Sequence, residues 1–516
     1  MVRYATANAP YKSRLCVSNP KSLHPKSKIE QMFQSTNSNS KNSHALVIGG
    51  SIAGLLAAQV LSKYFERVTI IERDRFPDEP TQRQGVPQSH HVHVLLKRGQ
   101  QILEELFPGI EAELAAAGAP RMDAAADSIW LGPGGWAPRV DSGLVICNSS
   151  RNLLEWTIRR RLTANNRVVF VQAGQVTHLL SNPNQTRVTG VRVRLHQSQT
   201  QTDFPADLVV DASGRNSRAP QWLEAMGYKP PQETAINSFL GYTSRWYQPP
   251  ADPPKSPLTT GTGDNPKSQI PNPKSNDWNA LLISAKPPYT RGGVVTLVEE
   301  NRWVVTLVGI GRDYPPTDEA GFLEFARSLR SPMIYEAIKD AQPISPILAY
   351  QRTENRLRHY EKLSRLPDGF VLVGDTVCAF NPVYGQGMTA AALAAFTLDR
   401  CLSQQLSPQS DRNLIGFPRR FQKQLSHAIA VPWLMATGED FRWPTTEGGK
   451  PDLIARLTQK YLDRVLLLTA ENPEMHKLFL EVMHLLKPPS AFFQPNIVIQ
   501  VLRQEESCRS HQELVK

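Results

Sequence analysis

Between Ala45 and Glu72 the chain spells out a strand, a tight turn, a helix and a second strand. ALVIGG (Ala45–Gly50) is an apolar run ending in glycine, Ile52–Tyr64 carries apolar residues at helical spacing, and VTIIE (Val68–Glu72) is a second apolar run. Two such runs joined by a helix within about 30 residues make a βαβ unit, and therefore a parallel sheet. The turn, GGSIAG, aligns with G-x-G-x-x-G, with Gly49 and Gly54 at the outer positions and Ser51 at the middle one. The first glycine serves the tight turn, the second lets the backbone approach a pyrophosphate, and the third lets the helix pack closely on the strand. Serine is the smallest substitute that keeps the approach open, and the helix N-terminus offers free N–H groups to phosphate. Glu72 ends the second strand 18 residues after Gly54 (72 − 54), where an acid can bind ribose hydroxyls. The bland alternative is a glycine-rich turn in an ordinary α/β protein. A hydrolase elbow needs G-x-S-x-G, and Ala53 breaks that pattern. On this reading, a side chain placed at Gly49, as in Gly49→Val, enters the pyrophosphate site.

Two later segments repeat the pattern of an apolar strand ending in a turn. DLVVDASG (Asp207–Gly214) carries Asp211 at its end, and GFVLVGD (Gly369–Asp375) carries Gly374 and Asp375. After the second comes NPVYGQGMT, where Pro382 fixes the chain direction and Gly385, Gln386 and Gly387 open a helix running to about Cys401. Between these motifs lie β-prone runs at Ala235–Trp246, Ala280–Lys286, Gly292–Val298 and Trp303–Ile310, suggesting a separate, largely antiparallel sheet. The last hundred or so residues read mostly as helix, with apolar spacing over Leu453–Leu468 and Met475–Leu486. The expected class is α/β (α+β overall). A Rossmann-like domain (44–128, 151–219 and 350–410) is interleaved with an antiparallel-sheet domain (129–150 and 220–349), and a helical region (411–516) follows.

Composition narrows the function classes. The chain has 516 residues and a formal charge of +11, of which residues 1–43 supply 7 − 1 = +6, leaving +5 on the rest. The body is thus only mildly basic and shows no Lys/Arg stripe with interleaved aromatics, so nucleic-acid binding is not expected. The 1–43 segment is rich in Ser, Asn, Lys and Pro and reads as a disordered tail. An organelle transit peptide or translation from Met32 are alternatives for it. A low-complexity insert over Gln248–Asp277 shares its tetrapeptide: NPKS begins at Asn19, Asn265 and Asn272. No stretch of about 18 apolar residues reads as a membrane span, which leaves peripheral membrane contact open. Cys16, Cys147, Cys378, Cys401 and Cys508 form no C-x-x-C, so a soluble protein of the reducing cytoplasm is expected, without disulfide or zinc framework.

The three motifs, in this order, resemble the flavoprotein monooxygenases of the para-hydroxybenzoate hydroxylase type, with their dinucleotide fingerprint, DG motif and GD…PxxGQG. The likeness covers roughly His44 to Cys401. RQGVPQSHHVHVLLKRG (Arg83–Gly99), SRNLLEW (Ser150–Trp156), CAFNPVYGQGMT (Cys378–Thr389) and ATGEDFRWPTTEG (Ala436–Gly448) are similar to a subgroup that includes lasalocid-type polyether epoxidases. Two departures stand out: the family's GDAAH is GDTVC here, with Cys378 at the histidine position, and its DG is DASG. The resemblance implies FAD as cofactor and NAD(P)H as electron donor. Oxygen is then passed, via a flavin hydroperoxide, to a lipophilic aromatic or alkene. It also implies that Gly49, Ser51 and Gly54 lie against the FAD pyrophosphate, with Glu72 on the adenosine ribose. Arg83, Arg151 and Asp211 would stand near the cofactor, Gly374 and Asp375 by its ribityl and pyrophosphate region, and Pro382, Gly385, Gly387 and Met388 along the isoalloxazine.

No catalytic side chain emerges, as expected where the cofactor carries the chemistry. His90, His91 and His93 lack a carboxylate or cysteine at ligand-like spacing, so no metal is expected; a place near the flavin, or plain packing, remains. Cys378 reads as a small apolar filler. A second G-x-G-x-x-G, a redox C-x-x-C and the halogenase signature WxWxIP are all missing. The competing readings are a flavin-dependent reductase of the geranylgeranyl-reductase kind and a non-catalytic FAD-binding protein. Substrate identity, NADH against NADPH, and oligomeric state are not readable from the sequence.

Overall fold

The computed structural model describes residues 43–196, 200–250, 278–407 and 413–503. The expected disordered tail, except Ser43, and the low-complexity insert from residue 251 to 277 lie outside these residues. Gln248, assigned by composition to the insert, is instead the last residue of strand Gly241–Gln248 and pairs with Gln342.

The expected parallel sheet is present with five strands. Their order is Phe370–Leu372, Leu208–Asp211, His44–Ile48, Arg67–Ile71 and Val168–Val171, all parallel. Its strands are continuous apolar runs because both faces are covered. Ala45, Leu46, Val47, Val209 and Val210 are all 0% exposed, and each large apolar side chain so buried stabilises the fold by about 1.5–3 kcal/mol. Helix Ile52–Leu61 is buried nearly all round, packed between this sheet and the long helix Gln386–Gln405. A three-stranded antiparallel sheet (Gly174–Ser181, Val188–Leu195, Gln201–Pro205) adjoins the strands Arg67–Ile71 and Leu208–Asp211.

The second large sheet has eight strands. The path runs Gln342–Pro343, Gly241–Gln248, Arg302–Gly309, Arg291–Val298, Ala280–Ile283, Ser128–Gly132 and Gly135–Trp136, with Leu348–Tyr350 also on Gly241–Gln248. Helices Glu319–Arg327 and Met333–Ile338 cover one face, burying Phe322, Phe325, Ile334 and Ile338 against Val295, Val305 and Leu307. One pair is parallel, Ala280–Ile283 with Ser128–Gly132, so the sheet recruits a strand from far upstream.

The run Ala235–Trp246, which alternation presents as one strand, divides between two sheets. Glu233–Ile236 joins a small sheet with Asn355–Arg358 and Cys378–Ala379, and the chain re-enters the large sheet at Gly241. Phe239, at φ 51°, turns the backbone between them, and alternation in sequence carries no record of that turn. The C-terminal layer consists of Phe417–Asp440, Leu453–Leu468 and Pro473–Met483. The last two are capped by Asp452, accepting from Ala455 N, and Asn472, accepting from Glu474 N and Met475 N. Among the described residues no helix is long and apolar enough to cross a membrane.

Candidate functional site

The first glycine turn is held by its neighbours on both sides. Gly49, at φ 98°, donates its N–H to Ile71 O at 2.8 Å, and a Cβ there would stand 2.6 Å from the carbonyl oxygen of Ala212. A side chain at Gly49 would therefore meet the backbone after strand Leu208–Asp211 whether or not a pyrophosphate is bound. Gly54 allows the close helix packing expected of the third glycine, since its Cβ would fall 1.9 Å from Gly49 O. Helix Ile52–Leu61 begins without a side-chain cap, leaving its first N–H groups for an anion. The Glu72 carboxylate accepts from Gly50 N at 2.8 Å and Asp74 N at 3.0 Å, so it stiffens the turn from beneath.

Ser51 does more than save space. Its hydroxyl donates to Glu155 Oε2 at 2.7 Å and accepts from Arg151 Nη2 at 2.7 Å. Arg83 joins the same group, at 2.9 Å from Glu155 Oε1, 2.9 Å from Asp74 Oδ2 and 3.4 Å from Glu72 Oε2. Burial alone would raise the Glu155 carboxyl, but Arg151, Arg83 and Ser51 together hold it below its ordinary value. Glu155 is thus the hub of a buried ion cluster, and sequence reasoning missed it. The available signal was Arg151 and Glu155 four apart on one helix face. Beside the cluster opens a small, shallow cleft lined by Pro77, Arg83, Ser89, Asn152, Trp156 and Arg159.

The other two motifs meet this turn. Asp211 is 0% exposed and accepts from Ser213 N at 2.9 Å and Ser217 Oγ at 2.6 Å. Its carboxylate therefore shapes the DASG turn. Gly374, at φ 62°, brings the start of GDTVC onto the first helix, where its Cβ would stand 2.6 Å from Ala53 Cβ. Burial raises the Asp375 carboxyl, with Arg215 and Arg151 opposing. Past Pro382, Gly385 adopts φ 66° as the N-cap of helix Gln386–Gln405, which also has no side-chain cap. Gln386 is 0% exposed with neither amide atom partnered, and the Thr389 hydroxyl is likewise unpartnered. No atom lies within 4 Å of a Cβ built on Gly387. Met388 is buried behind it. Orphaned buried polar atoms are costly, and open space beside them at an uncapped helix start fits an anionic, planar group.

Comparison with known proteins bears on which group. The FAD binding domain family matches residues 42–250. Protein Rv3254 of Mycobacterium tuberculosis (strain ATCC 25618 / H37Rv) is 34% identical over 374 residues, covering 70% of this chain and 74% of that one. Kynurenine 3-monooxygenase of Salinispora arenicola (strain CNS-205) is 25% identical over 379 residues, covering 71% and 73%. The chain belongs to the FAD-binding monooxygenase family. This flavoprotein is an FAD-dependent oxidoreductase. Its fold is shared with the flavin-dependent brominase Bmp2 (TM-score 0.60, 14% identity, 90% of this chain and 100% of that one). It is shared too with p-nitrophenol 4-monooxygenase PnpA from Pseudomonas putida DLL-E4 (TM-score 0.58, 15% identity, 86% and 98%).

The flavoprotein's histidine run borders the second sheet. His91 is 5% exposed, its Nδ1 lies 2.8 Å from Ser244 Oγ, and its ring meets Tyr242 edge-on at 4.5 Å. Tyr242 stacks with Tyr350 at 5.4 Å, and Tyr350 lies in the field of Arg215 and Asp375. Burial, with help from His93 and His90, pushes His91 down to about 3; burial and then Arg151 push His93 down to about 4. Both rings are neutral at pH 7. Burial, reinforced by Asp375, drives the Cys378 thiol up, so it is no thiolate. Among the described residues no His, Cys, Asp and Glu cluster could hold a metal ion.

Proposed function

We propose that the protein is an NAD(P)H-driven monooxygenase that hydroxylates or epoxidises a lipophilic aromatic or alkene. The observation that carries the reading is the opening of helix Gln386–Gln405: an uncapped N-terminus, a fully buried amide without partners, and free space beside Gly387. Gly385, Gly387 and Met388, after Pro382, would receive the flavin ring. The helix N–H groups there favour a planar group that gains negative charge on reduction. Gly49, Ser51 and Gly54 would border the pyrophosphate, with Arg83 and Arg151 supplying positive charge and Glu72 reaching the ribose. Gly374 and Asp375 would stand by the ribityl chain. When bound, FAD supplies the electron transfer and oxygen activation that no side chain of this protein can. The protein's part is to position and to exclude water. His91, Tyr242 and Tyr350 form a neutral aromatic cluster, and Tyr350 and Cys378 lie in the field of Asp375, which supports an uncharged, lipophilic substrate. The likeness to lasalocid-type epoxidases belongs to this same proposal.

The test begins with the purified protein's visible spectrum and FAD content. Oxygen uptake is then followed with NADH or NADPH against terpenoid, polyene and phenolic compounds. Substrate-dependent uptake is expected. Flavin reduction with no oxygen consumed in the presence of any substrate would favour a reductase instead. In stopped-flow, Gly387→Leu is expected to lose FAD or slow its reduction at least tenfold while keeping its fold; wild-type behaviour there would remove the role given to this helix.

A further inference from the structure

Asp440 ends helix Phe417–Asp440 and is 0% exposed. Four neutral donors converge on its carboxylate. Tyr384 Oη lies 2.7 Å, Ser238 Oγ 2.9 Å and Asn381 Nδ2 3.1 Å from Oδ1, while Asn355 Nδ2 lies 2.7 Å from Oδ2. Its charged sequence neighbours are occupied elsewhere: Arg442 pairs with Glu439 and with Asp463. Among the described residues no cation pairs with it, and a buried carboxylate in that state is costly to keep, so its acceptor geometry must matter.

The donors reveal what it orders. Asn381 and Tyr384 belong to the turn leading into Gly385–Met388. Asn381 N also donates to Asn355 Oδ1 at 2.8 Å, and Asn381 Oδ1 accepts from Val383 N at 3.3 Å. Asn355 is therefore held at both ends, accepting from the turn's backbone and donating to Asp440. If its amide flipped to suit a donor at position 440, its NH₂ would face the N–H of Asn381. Position 440 must accept. Ser238 lies in the break where the chain passes from the small sheet to the large one.

We infer that Asp440 is a positioning residue for the flavin-ring turn: it sets where Asn381–Gly387 stands and ties that turn, through Ser238, to the segment that enters the eight-stranded sheet. It does so from outside residues 42–250, which match the FAD-binding domain. The inference rests on the reading that this turn receives the ring.

The polarity of the chain of bonds supplies the test. Asp440→Asn sets two amide donors face to face. The exchange Asn355→Asp with Asp440→Asn reverses the pair and restores every hydrogen bond, with the new carboxylate at position 355 accepting from both sides. FAD affinity, the visible circular dichroism of the bound flavin, and apoprotein melting are measured for wild type, both these proteins and Tyr384→Phe. Asp440→Asn is expected to raise the FAD Kd at least tenfold and change the flavin dichroism, and the exchange to return both to within threefold of wild type. Tyr384→Phe is expected to raise Kd several-fold with apoprotein melting unchanged. Wild-type Kd and dichroism in Asp440→Asn overturn the inference, as does a folded exchange protein with no recovery. Should Asp440→Asn fail to fold, wild-type values in Tyr384→Phe overturn it. Wild-type protein that takes up no FAD refutes the underlying cofactor reading, an outcome distinct from loss in the variants alone.

Discussion

Gly49→Ala should unfold this protein more easily even when no FAD is bound. Alanine at φ 98° lies beyond the comfortable left-handed region, which itself costs a non-glycine residue about 1–2 kcal/mol. The added carbon would also sit 2.6 Å from Ala212 O, where ordinary contact begins near 3.4 Å, so something must move by about 0.8 Å (3.4 − 2.6). Neither partner yields easily. Ala212 N is bonded to Ile48 O at 2.9 Å and Gly49 N to Ile71 O at 2.8 Å, so the shift propagates into three strands of the central sheet. Strain and overlap together should cost about 3–5 kcal/mol, a large part of a typical stability of about 5–15 kcal/mol. The assay is urea unfolding of FAD-stripped protein followed by tryptophan fluorescence. With a urea m-value of about 3–4 kcal/mol/M for a chain of this size, the midpoint should fall by roughly 1 M. Gly387→Ala is the control: it meets no atom within 4 Å and lies in a helix, where alanine is favoured by about 0.5–1 kcal/mol. If stripped Gly49→Ala unfolds at the wild-type midpoint but fails to bind FAD, the demand for glycine comes from the cofactor, and the argument from Ala212 is wrong.

Three further outcomes are expected. Ser51→Gly restores the fingerprint glycine but strips the bonds to Glu155 and Arg151, so it should lose about 1–3 kcal/mol in the same unfolding assay; equal stability would show the cluster does not need the hydroxyl. Cys378→Ala should leave the rate of flavin reduction by NADPH within about twofold of wild type, and a large loss would make the buried thiol a reacting group. His44 is pushed down to about 4 by burial and then by Arg67, with Pro205 O and Asp207 opposing. Between about 6.5 and about 4 the unfolded chain holds the extra proton, so this contribution is complete above 6.5 and is lost as pH falls, at up to about 1.4 kcal/mol per pH unit. Urea midpoints from pH 7 to 5 should fall less steeply in His44→Gln, and parallel curves would place the acid sensitivity elsewhere.

What could be read in advance was local. The Gly49–Gly54 turn, the helix after Gly387 and the strand before Asp375 are each set by residues within a dozen positions, where periodicity and glycine placement act directly. What could not be read depends on distant partners. Nothing near Ser128–Gly132 announces that it will lie parallel to Ala280–Ile283. Ser51 looks like a compromise for glycine until Arg151 and Glu155 arrive from 100 and 104 residues downstream. Asp211 matched a cofactor position by pattern, but the pattern does not show that its carboxylate accepts from Ser213 and Ser217. Asp440 lies within Ala436–Gly448, but its role is not local, because its donors come from Ser238, Asn355, Asn381 and Tyr384.

The last strand of the central sheet has a consequence for biosynthesis. Phe370–Leu372 pairs with Leu208–Asp211, so 158 residues (370 − 211 − 1) must be made after the fourth strand before the fifth begins. At about 5–20 residues per second a ribosome needs roughly 8–30 s for that stretch. Throughout it, Val209 and Val210 stand on an open apolar edge that can pair with another nascent chain. Ribosome-bound chains ending near residue 300 should therefore be cut readily by protease around Leu208 and should recruit chaperones. Released full-length chains should resist cleavage there, because the closing strand has by then covered that edge.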